Sequence, residues 1–188
     1  MIVLALGVSL WAAIHFFPSV TPALRERLID GVGHGPYRGL FSVDILISLA
    51  LIIWGYRTAD WIYVYDPPAW GVHANNTLML LAIYLFGAGG ARGWLATKLR
   101  HPMLTGAVVW GVAHLLANGD QASIVLFGGM ALWALGMIWI VNRRTGAWAP
   151  PKHCGLAGEL KLIAITLVIF AVITFAHGWL LGVNPFPG

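Results

Sequence analysis

Charged residues are scarce in this chain of 188 residues, where 11 Lys and Arg and 7 Asp and Glu amount to only 10%. A soluble domain carries about 25% charged residues. Here 59% of the residues are hydrophobic and the mean hydropathy is +0.79. This composition excludes an ordinary soluble domain and indicates an integral membrane protein. The sequence pI of about 9.6 does not indicate nucleic-acid binding, because the cations lie in loops beside apolar runs, where they orient a membrane protein.

Cysteine is nearly absent, since Cys154 is the only one in the chain. An intramolecular disulfide, a CxxC pair and a c-type haem attachment motif are therefore excluded. No cluster of cysteines or carboxylates indicates a zinc or iron–sulfur site. We expect Cys154 to be a bystander in a loop.

Most of the chain consists of long apolar runs. A membrane-spanning helix needs about 20 apolar residues, so the chain has room for about six spans with short loops and no soluble domain. The sequence predicts an all-α integral membrane bundle of about six transmembrane helices, with residues 1–188 as a single domain. A short amphipathic surface helix is predicted over 23–30. The predicted spans are 2–17, 37–56, 74–95, 102–117, 122–141 and 162–181.

Lysine and arginine are distributed unevenly between the predicted loops. The loops after spans two and four hold Arg57 alone and no cation, respectively. Because cytoplasmic loops carry the excess of Lys and Arg, the loops after spans one, three and five are predicted to be cytoplasmic and both termini to face outward. The cations of those three loops are Arg25, Arg27, Arg92, Lys98, Arg100, Arg143, Arg144 and Lys152.

Four histidines lie in or at the edge of the predicted spans: His15, His73, His114 and His177. An ionisable residue inside a membrane is costly and indicates a functional site. One interpretation is a set of hydrogen bonds between helices. The other is a metal or haem site, because neutral imidazole is the commonest metal ligand and an apolar bundle suits a porphyrin.

The depths of these histidines can be estimated from the helical rise. At about 1.5 Å per residue, His114 lies about 18 Å and His177 about 22 Å from the cytoplasmic ends of their spans. His15 lies about 20 Å from the outer side, which leaves about 10 Å to the inner side of a core about 30 Å thick. Depth alone therefore pairs His114 with His177 or His73 rather than with His15.

Several motifs of this chain closely resemble the NnrU family of bacterial membrane proteins, and the resemblance covers nearly the whole sequence. The motifs are Tyr-Arg-Gly-Leu-Phe-Ser at 37–42, Trp-Gly-Tyr at 54–56, Arg-His-Pro-Met-Leu-Thr-Gly at 100–106 and Ala-His-Leu-Leu-Ala-Asn-Gly-Asp at 113–120. The resemblance implies a multi-pass protein of the bacterial inner membrane, with both termini periplasmic if the charge distribution is followed. It also implies a link to nitrite and nitric oxide metabolism in denitrifiers.

A related plant branch is the 15-cis-zeta-carotene isomerase, a membrane haem b enzyme that isomerises a carotenoid double bond. Its Ala-His, Arg-His-Pro, second Ala-His and late Phe-Ala-His are similar to 14–15, 100–102, 113–114 and 175–177 here. The resemblance implies haem b with His15 and His114 as iron ligands. Gly111 and Ala59 stand where the isomerases have a cysteine and a further histidine, so haem binding carries over more readily than isomerase activity.

Two arginines are candidates for contact with the haem propionates, because a guanidinium pairs well with a carboxylate. They are Arg100 and Arg38; the other interpretation of Arg100 is an anchor at the lipid headgroups. The leading hypothesis is thus a haem b membrane protein of the NnrU type that supports nitrogen oxide reduction. The alternatives are a haem-dependent isomerase of a carotenoid-like or isoprenoid substrate and a non-catalytic assembly or electron-transfer factor. The expected partners are membrane lipid with a membrane reductase or an apolar polyene, and no nucleic acid.

Overall fold

The computed structural model of the protein describes residues 1–186, including the side chains of all of these except 180 and 181. All of the regular secondary structure in this part of the chain is helical, which confirms the all-α prediction. The helices are α1 (Ile2–Val20), α2 (Pro22–Val32), α3 (His34–Arg57), α4 (Gly71–Ala91), α5 (Pro102–Ala117), α6 (Gln121–Arg144) and α7 (Gly155–Leu181). A 3-10 turn covers Trp94–Thr97, and α6 contains a π-helical turn at Ile124–Gly128.

Six of these helices correspond one to one with the predicted spans, and α2 is the surface helix. In the described part of the chain, α1, α3, α6 and α7 are long and apolar enough to cross a membrane. The other two are shorter or less apolar: α4 has 21 residues and α5 has 16. Only 11% to 17% of the residues in the four apolar windows are buried inside the protein. Their remaining apolar surface therefore suits a lipid environment, as expected for a membrane protein.

Two helix boundaries differ from the prediction because a proline is tolerated near a helix end. α1 continues through Pro18 to Val20, and its last turn is stabilised by Thr21, whose backbone N–H and hydroxyl both donate to the Phe17 carbonyl at 3.0 and 2.9 Å. α3 begins at His34 rather than Tyr37. Pro36 then lies in the first turn, where no intrahelical donor is lost.

The predictions were also wrong for two helix ends beside the basic loops, the end of α4 and the start of α7. α4 ends at Ala91 because Arg92 adopts a left-handed conformation with φ 56°. α7 begins at Gly155, well before the predicted residue 162. Its first turns carry polar residues that looked like loop, but Glu159 contacts Tyr84 of α4 and so belongs to the helix–helix contact.

The long helices pack side by side in the order α3, α1, α6, α5, α4, α7. Glycines allow close approach between neighbours in this row. A Cβ atom at Gly55 would lie 2.4 Å from the backbone nitrogen of Leu4, and one at Gly111 would lie 2.5 Å from the carbonyl oxygen of Phe127. Small residues at such crossings let backbones pack closely without a hydrophobic driving force.

The loops alternate between the two ends of the bundle. At one end the loop after α3 meets the turn between α5 and α6, where Val64 donates to the Gly119 carbonyl at 2.9 Å. At the other end the backbone N–H of Cys154 donates to the Arg92 carbonyl at 3.0 Å, and Arg100 contacts Thr145 and Gly146. The second end therefore collects the loops that the sequence assigns to the cytoplasm.

Candidate functional site

His114 lies in the last turn of α5, with its ring held against aromatic neighbours. Its Nδ1 atom is 2.9 Å from the carbonyl oxygen of Trp110, one turn earlier. A carbonyl can only accept a hydrogen bond, so Nδ1 carries the proton and the Nε2 atom of the neutral ring keeps its lone pair. The ring stacks on Phe127 of α6, with centroids 4.3 Å apart and an interplanar angle of 20°.

His15 of α1 repeats this local arrangement. Its Nδ1 atom is 2.8 Å from the carbonyl oxygen of Trp11, again one turn earlier. The ring stacks on Trp11 at 4.4 Å, and the edge of Trp133 approaches at 5.0 Å. Among the described residues, no hydrogen bond reaches Nε2 of either His15 or His114, so both imidazoles present a free lone pair in apolar surroundings.

A sequence signal for this shared geometry was missed. Both histidines follow a tryptophan by four residues, as Trp11-Ala-Ala-Ile-His15 and Trp110-Gly-Val-Ala-His114. Residues four apart lie on one helix face, so each indole packs beside its imidazole. The indole N–H groups of Trp11 and Trp133 are buried and without a hydrogen-bond partner in the described structure, which marks the surroundings of His15 as a region with unused donors.

The described contacts do not bring His15 and His114 together. Trp133, which contacts His15, packs in the same cluster as Ala107 of α5. Ala107 precedes His114 by two turns, so the two imidazoles differ in height by about 10 Å. The side chains of Trp11 and Met130 pack against both the cluster around Phe127 and the cluster around Ala107. They therefore occupy the region between the two histidines.

The two other histidines of the predicted spans are placed differently. His177 lies near the C-terminal end of α7. Its Nδ1 atom is 2.8 Å from the carbonyl oxygen of Val183. His73 is exposed. Gly71, two residues earlier on α4, packs against Leu116 of α5. Two residues correspond to a rotation of about 200° around the helix, so His73 lies on the side of α4 that faces away from α5.

The two candidate arginines also have different surroundings. Arg100 is engaged by the end of α6, since its guanidinium donates to the carbonyls of Gly146 at 2.8 Å and Thr145 at 3.2 Å, and to the Thr145 hydroxyl. Arg38 lies at the start of α3 and lines an open groove of about 410 Å³. The other residues of this groove are Pro18, Arg25, Tyr37, Phe41 and Ser42.

That groove adjoins the surroundings of His15. Phe41 lines the groove and also contacts the His15 ring, with centroids 6.0 Å apart. The hydroxyl of Tyr37 is buried and has no hydrogen-bond partner in the described structure. The guanidinium of Arg25 lies 5.5 Å from the centroid of the Tyr37 ring. Two arginines and a free hydroxyl donor thus lie together where a carboxylate could be held.

The end of α5 that carries His114 is clamped by Tyr65, which lies in the loop between α3 and α4. The hydroxyl of Tyr65 is 2.9 Å from the Asn118 carbonyl and also contacts the Leu115 carbonyl. Burial, together with the negative charge of Asp120, raises the pKa of Tyr65. The hydroxyl therefore stays protonated and can donate to these carbonyls.

The Asn118-Gly119-Asp120 turn has a structural role in the same clamp. The Asn118 side chain donates to the His114 carbonyl at 2.8 Å. A Cβ atom at Gly119 would lie 1.8 Å from the Tyr65 carbonyl oxygen, so only glycine fits there. Asp120 accepts hydrogen bonds from the Ser123 backbone at 3.0 Å and from the Ser123 hydroxyl at 2.6 Å, which caps the start of α6.

Comparison with known proteins identifies the family. No curated protein and no solved structure matches this chain. A family model described as NnrU protein matches residues 3–185, nearly the whole sequence. Because this match covers nearly the whole sequence, the chain belongs to the NnrU family.

Proposed function

We propose that this NnrU protein binds haem b inside the membrane through His15 and His114. The proposal rests on one observation above all, the repeated Trp-x-x-x-His unit with Nδ1 bonded to a backbone carbonyl and Nε2 free. Metal-ligating histidines commonly donate their second ring N–H to a carbonyl or carboxylate, which fixes the tautomer and makes the free nitrogen more basic. In His177 the Nδ1 atom is likewise bonded to a backbone carbonyl, but the residue one turn earlier is Ile173 rather than a tryptophan.

The surroundings of both histidines fit a porphyrin. Phe127, Trp110, Trp11 and Trp133 supply flat apolar surfaces within 4.3 to 5.1 Å of the imidazole centroids. A bound haem would be held by His15 and His114 and would supply one-electron redox chemistry. In the described structure the two imidazoles differ in height by about two turns. For both to hold one haem, α1 and α5 would have to shift along each other, and the side chains of Trp11 and Met130 would have to leave the region between the histidines.

The groove beside His15 supports Arg38 as the contact for the haem propionates. Arg38 and Arg25 line it together with the buried hydroxyl of Tyr37, which lacks a partner among the described residues. Charge-assisted hydrogen bonds from guanidinium to carboxylate are strong and directional. Arg100 is less suited, because its donors already bind the carbonyls at the end of α6.

A redox or electron-transfer role fits this chain better than isomerisation. Gly111 stands where the related isomerases have a cysteine. A side chain at this position would collide with the Phe127 carbonyl, 2.5 Å from the Cβ position. The close packing of α5 on α6 therefore leaves no room for a sulfur ligand one turn before His114.

We assign the protein to the bacterial inner membrane, as a multi-pass protein with both termini periplasmic. We also assign it to nitrogen oxide reduction during denitrification, where it would serve a membrane reductase. Family membership and the basic loops at one end of the bundle support this setting. Co-purification of a nitric oxide or nitrite reductase with the affinity-tagged protein from denitrifying cells is the expected result. Isomerisation of a cis-polyene by the purified protein would instead favour the enzymatic alternative.

Substitution of single histidines tests the ligand assignment. His114→Ala and His15→Ala should each lose haem or leave a five-coordinate, high-spin iron, because each removes one axial nitrogen. His73→Ala is the matched control, since His73 is exposed on the opposite face of α4. His177→Ala should also retain the low-spin spectrum. If His177→Ala loses it while His15→Ala keeps it, the iron is held by His114 and His177 instead.

A further inference from the structure

Three side chains at the start of α7 bring different ligand atoms together at the basic end of the bundle. A ring nitrogen of His153, the thiol of Cys154 and a carboxylate oxygen of Glu159 all lie within 4.8 Å of one another. Within this set, Nε2 of His153 is 2.9 Å and Sγ of Cys154 is 3.9 Å from Oε2 of Glu159. Nitrogen, sulfur and oxygen donors of these types are the usual ligands of zinc.

The distances fit a tetrahedral ion. Zinc binds histidine nitrogen and carboxylate oxygen at about 2.0 to 2.2 Å and thiolate at about 2.3 Å, which separates neighbouring ligand atoms by about 3.3 to 3.7 Å. The two distances of 2.9 and 3.9 Å lie on either side of that range. Shifts of less than about 0.5 Å would bring each of these two distances into the range, and the atoms of His153 and Cys154, which lie within 4.8 Å of each other, would have to approach as well.

The ligands are held in place by a second set of contacts. The hydroxyl of Tyr84 on α4 donates to Glu159 Oε1 at 2.5 Å, and the backbone N–H of Trp94 donates to Oε2 at 2.9 Å. The backbone of Cys154 is bonded to the Arg92 carbonyl at 3.0 Å. Outer contacts of this kind orient metal ligands and tune their affinity, so the site is fixed to the end of α4 before any ion binds.

We propose that His153, Cys154 and Glu159 form a zinc site at the basic end of the bundle. Three protein ligands leave a fourth position for water or an external ligand, as in catalytic and exchangeable zinc sites. The thiolate and the carboxylate balance the charge of the ion. Cys154 is then a ligand rather than a bystander, and the spacing His-Cys-x4-Glu is the signal in the sequence.

Binding requires a defined movement of protons. Without metal, the Nε2–H of His153 donates to Glu159, and Nδ1 accepts from the backbone N–H of Gly155 at 3.2 Å. When Nε2 binds the ion, the ring stays neutral with its proton on Nδ1, and the contact with Gly155 is given up. The Cys154 thiol releases its proton to solvent, because the thiolate is the metal ligand.

Cobalt(II) is the probe for the test, because it adopts the zinc geometry and reports thiolate ligation by a charge-transfer band in the near ultraviolet. The full-length protein, reduced and in detergent with whatever haem it carries, is titrated with Co²⁺ and followed by difference spectra. The expected result is saturation at one equivalent, with a thiolate band and the intense visible bands of a tetrahedral ion. Zinc should then displace cobalt and remove these bands.

Near-isosteric variants make the test specific. Cys154→Ser should abolish the thiolate band, and His153→Gln should weaken binding by at least about tenfold. His101→Gln is the matched control, because this loop histidine lies at the same end of the bundle and is bonded to Asn142 at 2.9 Å. Absence of the thiolate band at one equivalent overturns the proposal. Equal affinity for wild type, Cys154→Ser and His153→Gln also overturns it, since the ion would then bind elsewhere.

Discussion

The two Trp-x-x-x-His units show how a local pattern fixes the tautomer and the surroundings of an imidazole. In each unit the helix supplies the carbonyl that fixes the imidazole tautomer, and the indole supplies an apolar wall. The helical spacing alone produces both effects. The resemblance to a known family identified His15 and His114 as candidates, but the state of their ring nitrogens follows only from the hydrogen bonds that the structure gives.

The contacts of the Tyr65 hydroxyl with the carbonyls at the end of α5 can be tested by removing that hydroxyl. Tyr65→Phe should destabilise the protein by about 1 to 2 kcal/mol, because two half-buried carbonyls lose their shared donor. Thermal unfolding in detergent measures the change. Tyr63→Phe is the control, since Tyr63 is 53% exposed. An equal loss of stability in both variants would show that Tyr65 does not clamp α5.

Residues whose roles depend on distant partners were beyond the sequence. Tyr65 and Glu159 looked like ordinary loop residues, yet they contact residues 53 and 75 positions away, respectively. A single sequence carries no periodic signal for such pairings. Composition and motifs could therefore locate the buried histidines but not the groups that fix the helices around them.

At the scale of elements, α5 was predicted with the correct bounds because both of its ends carry explicit signals. Pro102 occupies the first turn, and the Asn118-Gly119-Asp120 turn ends the helix. The start of α7 was missed because its polar first turns are used for contact with α4. Pro18 was taken as a helix end, but near a C-terminus its missing donor costs only one hydrogen bond.

The crossing of α5 and α6 gives a prediction for that pair of helices. Gly111→Leu should force the helices apart, with a cost of about 1 to 3 kcal/mol or more, and should lower haem content by displacing His114. Gly90→Leu is the matched control, because nothing lies within 4 Å of the position its Cβ would take. Haem content per protein and the unfolding temperature are measured for both. Equal haem content in the two variants would show that the crossing of α5 and α6 does not affect haem binding.

At the scale of the whole molecule, the helices form a row whose loops alternate between a basic end and an opposite end. The composition predicted a membrane protein, and the unequal distribution of Lys and Arg predicted which loops share a side. The contacts between 62–65 and 119–121 and between 92 and 154 bring together the loops that the sequence grouped. The order of helices in the row could not be predicted, because apolar spans share one composition and differ only in packing detail.

The orientation of this row in the membrane can be tested with single cysteines in a Cys154→Ser background. Asp60 and Lys152 are both exposed and lie in loops at opposite ends of the bundle. An impermeant maleimide should label Asp60→Cys in intact spheroplasts, and Lys152→Cys only after permeabilisation. The reverse pattern would invert the orientation, and labelling of both in intact spheroplasts would contradict the alternation of the loops.

The most direct test of the central claim is the absorption spectrum of the wild-type protein, purified from cells with ample haem supply. We expect one haem b per chain, identified by its pyridine haemochrome. Reduction should give the sharp α and β bands of a low-spin iron with two imidazole ligands. A colourless protein that is folded and inserted would show that the chain does not bind haem, and the half-buried histidines would then serve only as hydrogen-bonding groups within the bundle.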